Sequence, residues 1–126
     1  MKKKTPFALC IHGGAGVINE ENLSESDRNL IINDLIFCLN QGETILSNGG
    51  TAIEAVCASV VALENSIHFN AGKGAVYSRA GQHLLEASIM DGETLQAGAV
   101  ANSKRIKNPI LFAKTLMFND EIVMLS

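Results

Sequence analysis

The chain has 126 residues, which suits one domain and is short for two. Hydrophobic residues make up 47% and charged residues 18%, which excludes an intrinsically disordered chain and allows a buried core. The net charge of −3 argues against a general nucleic-acid binder, and no stretch approaches the roughly 18 apolar residues that a membrane helix needs.

Lys2, Lys3 and Lys4 have the look of a secretory leader, but the apolar run behind them stops at His12. A leader core needs about 7–15 apolar residues, so the lysines read as a solvated lead-in to a strand. Residues 6–12 form that strand, wholly apolar up to His12 and expected to be covered on both faces. Gly13, Gly14, Ala15 and Gly16 end it, and a loop follows from Val17. Ser24 or Ser26 caps a helix running to about Ser47, with Leu35, Leu39 and Leu46 at helical spacing. Asn48-Gly49-Gly50 stops it.

Thr51 and Glu54 match a capping box, so a second helix runs from there to about Glu64. It is apolar nearly all round and is expected to be buried. Residues 65–77 read as a loop with Gly72 and Gly74 as its bends. Residues 84–90 read as a strand, Asp91-Gly92 as a turn and residues 97–101 as a paired strand. Asn108-Pro109 opens a short helix to about Phe118, with proline at its first position. Residues 122–125 read as one more strand, and a buried-type strand at the very end suggests a chain cut short.

Cys10, Cys38 and Cys57 are odd in number and lack metal-like spacing. Their apolar contexts suggest buried thiols in a reducing cytoplasm. Three segments carry the candidate chemistry. In Ile11-His12-Gly13-Gly14-Ala15-Gly16, glycines behind a strand let backbone N–H groups approach a ligand or a neighbouring segment. The same residues also suit a plain tight turn. The glycine order does not match a dinucleotide fingerprint.

In His68-Phe69-Asn70-Ala71-Gly72-Lys73-Gly74, the lysine is followed by glycine and not by Ser or Thr, so the phosphate-loop pattern fails. The Asn70 amide both donates and accepts, so it can organise a bent loop or support an oxyanion site. The third segment runs from Glu86 to Gly92, and its Glu86 and Asp91 are not expected to converge. His83 is expected to be exposed. No Ser-His-Asp, Cys-His or His/Cys/carboxylate metal constellation stands out. A small nucleotide-binding domain would rest on glycine alone.

Taken together, these segments resemble the N-terminal, α-subunit portion of the plant-type asparaginases, the isoaspartyl peptidase/L-asparaginase family of Ntn hydrolases. The resemblance is carried by residues 11–16, by Phe69-Asn70-Ala71-Gly72-x-Gly74-Ala75-Val76, by Met90-Asp91-Gly92 and by Gly98-Ala99-Val100-Ala101, with Asn108-Pro109-Ile110 behind them. It implies a mixed α/β (α+β) fold, part of an αββα sandwich and incomplete in this chain. Residues 1–126 would then be the front of a single asparaginase-like domain. The implied activity is hydrolysis of L-asparagine and β-aspartyl dipeptides, without any cofactor. It uses the N-terminal Thr that self-cleavage of a precursor exposes, its α-amine serving as base.

The family's Gly-Thr-Val-Gly-type motif does not occur here, and Thr51 after Gly50 is followed by Ala52. The chain alone is therefore expected to be inactive. His12, Gly13, Gly14 and Asn70 are implied as supporting residues beside the nucleophile. Main-chain carbonyls of Leu63, Glu64, Ser66, Phe69, Ala71 and Lys73 are implied as ligands of a structural sodium ion, which suits hard oxygen donors. The implied partner is the missing β segment, in a family that forms dimers of αβ units. The alternative reading is a non-catalytic remnant, an α-subunit-like binding partner of a separate β chain.

Overall fold

A computed structural model describes residues 6–14, 23–119 and 124–125. Helix α1, Glu25–Ser47, starts at Ser24, whose hydroxyl accepts the Asp27 N–H at 3.0 Å. Helix α2, Ala52–Asn65, opens with the expected capping box. There Thr51 Oγ1 accepts the Glu54 N–H at 3.2 Å, and Glu54 Oε2 accepts the Thr51 N–H at 2.8 Å. Both caps satisfy backbone donors that a helix start leaves open.

Strands β1, Leu85–Met90, and β2, Ala97–Ser103, pair antiparallel with Ile89 opposite Gly98. A register irregularity lies between Leu85 and Ala87. Helix α3, Pro109–Met117, follows, and β3, Met124–Leu125, returns parallel to β2, giving the order β1-β2-β3. Period-two alternation sends Ile89, Gly98 and Val100 to one face, which α2 and α3 cover. The core there is Cys57, Ile89, Val100, Ile110, Ala113 and Met117. Gly98 is where α3 comes closest, since a side chain there would run into the Ala113 carbonyl and the Met117 nitrogen.

A second, smaller core joins Cys38, Ala62 and Phe69, with Ile11, Ile31, Leu35 and Leu63 packed on it. It ties α1, α2 and the amino-terminal segment together. At Gly42 the helices touch, and a Cβ there would meet the Ser59 hydroxyl and, at 2.8 Å, the Ala55 carbonyl.

The fold is mixed α/β, with helices on one face of the sheet, consistent with part of an Ntn-hydrolase sandwich. Two expectations need correction. Residues 6–14 contain no strand: a strand needs a paired backbone, and no described strand lies beside them. Their apolar side chains instead rest partly on the helices, as Ile11 does on the second core. Cys10 is exposed, whereas Cys38 and Cys57 are buried. Helix α2 is buried on two opposite faces as expected, Ala55, Ser59 and Ala62 toward α1 and Cys57 and Glu64 toward the sheet and α3, with Val56 exposed between them. Of the last predicted strand, residues 122–123 lie outside the described residues, as do Lys2 to Lys4, Ala15 and Gly16 and the loop residues 17–22.

Candidate functional site

The two glycine-rich segments meet. A Cβ on Gly13 would lie 3.1 Å from Leu35 Cδ2 and 3.3 Å from Phe69 Cε1, so the backbone of Gly13 rests against the Phe69 ring. Phe69 is buried and anchors the loop at its sharpest part. The neighbouring Asn70 is exposed and holds the loop from inside, its Oδ1 accepting the Val76 N–H at 3.0 Å. Its amide N–H groups are donors. His12 is exposed and folds back on its own turn, where Nδ1 accepts the Gly14 N–H at 3.1 Å. Gly14 has φ +113, a conformation that other residues rarely adopt.

Carbonyls of the turn and loop that end α2 accept backbone bonds at close spacing. Leu63 O accepts the Ser66 N–H at 3.2 Å, Phe69 O the Ala71 N–H at 2.7 Å and Ala71 O the Gly74 N–H at 3.0 Å. Each keeps a second lone pair. Gly72, at φ +48, presses on the Glu64 carbonyl, and Gly74 presses on the Phe69 carbonyl. Any Cβ at either glycine would fill that space. The donor chemistry suits a hard cation held by backbone oxygens. Among the described residues no group of three or more His, Cys, Asp or Glu could hold a metal.

Two arrangements escaped sequence reasoning. The first centres on Asp34, half-buried on α1. Its Oδ2 accepts the Ser66 hydroxyl at 2.6 Å and lies 2.8 Å from His68 Nδ1, while Ser66 Oγ accepts the His68 N–H at 3.0 Å. The Ser66 and His68 hydrogen bonds hold the Asp34 carboxyl below its ordinary value. Serine, histidine and aspartate meet here, but the serine donates to the aspartate and not to the histidine, so the order is not that of a nucleophilic triad. The cluster fastens the loop to α1.

The second is Glu64, whose side chain is 3% exposed. Its Oε1 accepts the Ile110 N–H at 3.0 Å and its Oε2 the Asn108 amide at 3.0 Å. The Asn108 side chain makes no capping bond at the start of α3, and Glu64 does that work from another helix. Burial pushes the Glu64 carboxyl up, partly offset by these two bonds. A signal for it existed: Cys57, Val61 and Glu64 share a helical stripe, which puts a carboxylate on the core side.

Of the remaining candidates, Cys38 packs beside Phe69, whereas Cys57 lies in the larger core. Burial raises the Cys38 and Cys57 thiols, against thiolate chemistry. Glu86 is exposed on β1, and Asp91 Oδ1 accepts the Glu93 N–H at 2.8 Å within its turn. His83 is exposed and stacks on Tyr77, ring centroids 4.1 Å apart. No described helix is long and apolar enough to cross a membrane.

A family profile described as asparaginase matches residues 5–126. A Salmonella typhimurium protein named isoaspartyl peptidase is 41% identical over 109 residues, covering 86% of this chain and 35% of that protein. The Escherichia coli isoaspartyl peptidase is 39% identical over 117 residues, covering 93% of this chain and 36% of its own length. A Danio rerio isoaspartyl peptidase/L-asparaginase is 38% identical over 109 residues, covering 86% of this chain and 34% of that protein. The chain thus spans about a third of the length of the curated relatives it matches.

Proposed function

The chain belongs to the asparaginase family, and on that premise we propose that it carries the supporting part of an amidohydrolase active site. The substrates are L-asparagine and β-aspartyl dipeptides. The packing of Gly13 on Phe69 is the observation that supports this reading, because Gly13 lies between His12 and Gly14 in the chain and Phe69 directly precedes Asn70. The nucleophile is an N-terminal Thr on polypeptide that corresponds to the relatives' remaining length. Its hydroxyl attacks the side-chain amide while its α-amine takes the proton. The amine or ammonia leaves, and water then releases aspartate from the acyl ester. In this scheme Asn70 donates its amide N–H toward developing charge, and the Gly13 and Gly14 backbone lets the reacting groups come close.

Carbonyls of Leu63, Glu64, Ser66, Phe69, Ala71 and Lys73 hold the structural sodium. Bound there, it stiffens the loop and takes no part in the chemistry. Four of the six lie on hydrogen-bonded or glycine-pressed turns of that loop, which supports the assignment.

The test is a chimera in which residues 1–126 replace the matched segment of the Escherichia coli relative. It should cleave itself and release aspartate from β-aspartyl-leucine, whereas the 126-residue chain alone should release none. A folded chimera that does neither would overturn the reading.

A second reading has its own observation. The sheet face away from the helices carries Met90, 57% exposed, and Met124, 61% exposed. That face suits a binding subunit covered by a separate β chain. Co-purification with a Thr-initiated β chain, without any turnover, would favour it.

A further inference from the structure

We propose that Asp34 is a positioning residue for Asn70, acting through the loop that Ser66 and His68 carry. The inference rests on the reading that Asn70 belongs to the active site. Asp34 lies on α1, next to Leu35, which touches Gly13, and one turn before Cys38, which packs in the second core. Its single oxygen Oδ2 gathers both loop residues, at 2.6 Å and 2.8 Å. Ser66 is the residue that closes α2, and His68 directly precedes Phe69 and Asn70. The clamp therefore sets the entry of the loop just before its functional turn. The Val76 N–H, held by Asn70 Oδ1, reports on the other end of that turn. Phe69 is fixed by packing, but an exposed Asn70 has no packing of its own to fix it. Charge-assisted hydrogen bonds at the loop entry supply that restraint.

The full 126-residue chain can be tested without any turnover, so the outcome is separable from that of the chimera. Amide hydrogen exchange and the Asn70 side-chain amide signals are followed by NMR in wild type, Asp34→Ala, Asp34→Asn and Ser66→Ala. In Asp34→Ala the Gly74, Ala75 and Val76 amides should exchange about tenfold faster, and the Asn70 signals should move toward free-amide positions. Amides of α3 and β2 should not change. Asp34→Asn keeps an acceptor oxygen and should restore most of the protection. Ser66→Ala should fall between.

Unchanged loop exchange in a folded Asp34→Ala chain would overturn the proposal. So would faster exchange spread evenly over α3 and β2, or an Asp34→Asn chain as loose as Asp34→Ala. In the active chimera, Asp34→Ala should lower kcat about tenfold and leave KM near wild type, since the clamp orients a group and does not bind substrate.

Discussion

The Glu64 carboxylate accepts the Ile110 N–H at 3.0 Å across 46 positions of sequence, and so caps α3 from the end of α2. One side chain joins the last turn of one helix to the first turn of another. It also stands beside the loop whose carbonyls are assigned to sodium, so core packing and the site share a support.

Removing that side chain should therefore be costly. Glu64→Ala leaves the Ile110 N–H and the Asn108 amide without their partner and should lower stability by about 2–3 kcal/mol. Glu64→Gln keeps an acceptor for Ile110 and should lose about 1 kcal/mol. Urea unfolding followed by circular dichroism measures both, with unchanged m values if two-state behaviour holds.

The pH dependence of stability carries two opposite signatures. Glu64 is pushed above its ordinary 4.5 by burial, so between 4.5 and its raised value the folded chain keeps a proton the unfolded chain has lost. Its contribution is complete below 4.5 and fades as pH rises through the raised value. Asp34 is held below its ordinary 3.8 by the Ser66 and His68 hydrogen bonds, and its contribution is complete above 3.8 and fades as pH falls through the lowered value. Glu54, lowered by its bond from the Thr51 N–H, acts in the same sense as Asp34. Urea midpoints measured against pH should lose their decline above 4.5 in Glu64→Gln and weaken their acid decline in Asp34→Asn.

Gly98→Ala should damage the fold more than its size suggests. The added methyl meets backbone atoms of Ala113 and Met117, which cannot swing aside as a flexible side chain can. Helix α3 has to lift from the sheet, and a loss of about 3 kcal/mol or more is expected. Ala99→Gly, on the other face of the same strand, should cost about 1 kcal/mol, and thermal melts of the two variants separate the effects.

Gly72→Ala combines a φ of +48 with a Cβ driven into the Glu64 carbonyl. If the loop holds sodium, the wild-type melting midpoint should drop when sodium is exchanged for choline, and the variant should lose that difference. A wild-type midpoint indifferent to sodium would count against the ion assignment.

Local signals in the sequence were readable because they act over one turn. Ser24, the Thr51–Glu54 pair and Asn108-Pro109 place helix starts where the structure has them. The strands at Leu85–Met90 and Ala97–Ser103 follow from composition and the Asp91-Gly92 turn. Residues 6–12 misled because an apolar run states a preference for burial and cannot name its neighbour. The family motifs marked Gly13 and Asn70, and the structure brings their two segments together through Phe69. The Asp34–Ser66 and Glu64–Ile110 bonds were invisible, since separations of 32 and 46 positions leave no periodic trace. Only the oddity of a carboxylate on an apolar stripe hinted at Glu64.

Helix α1 is about 35 Å long for its 23 residues, at a rise of about 1.5 Å each. Ile31, Asp34, Leu35, Cys38 and Gly42 recur at helical spacing, so its grips on the body form a single stripe. Residues 25–30 are all exposed and precede Ile31, which packs on the second core. The helix is thus a rod whose core contacts begin at Ile31 and run toward its carboxyl end. Thermal melting should travel along it from the amino end and halt where Ile31 and Asp34 meet the body, so the clamp that steadies the loop lies at the limit of the fraying of α1.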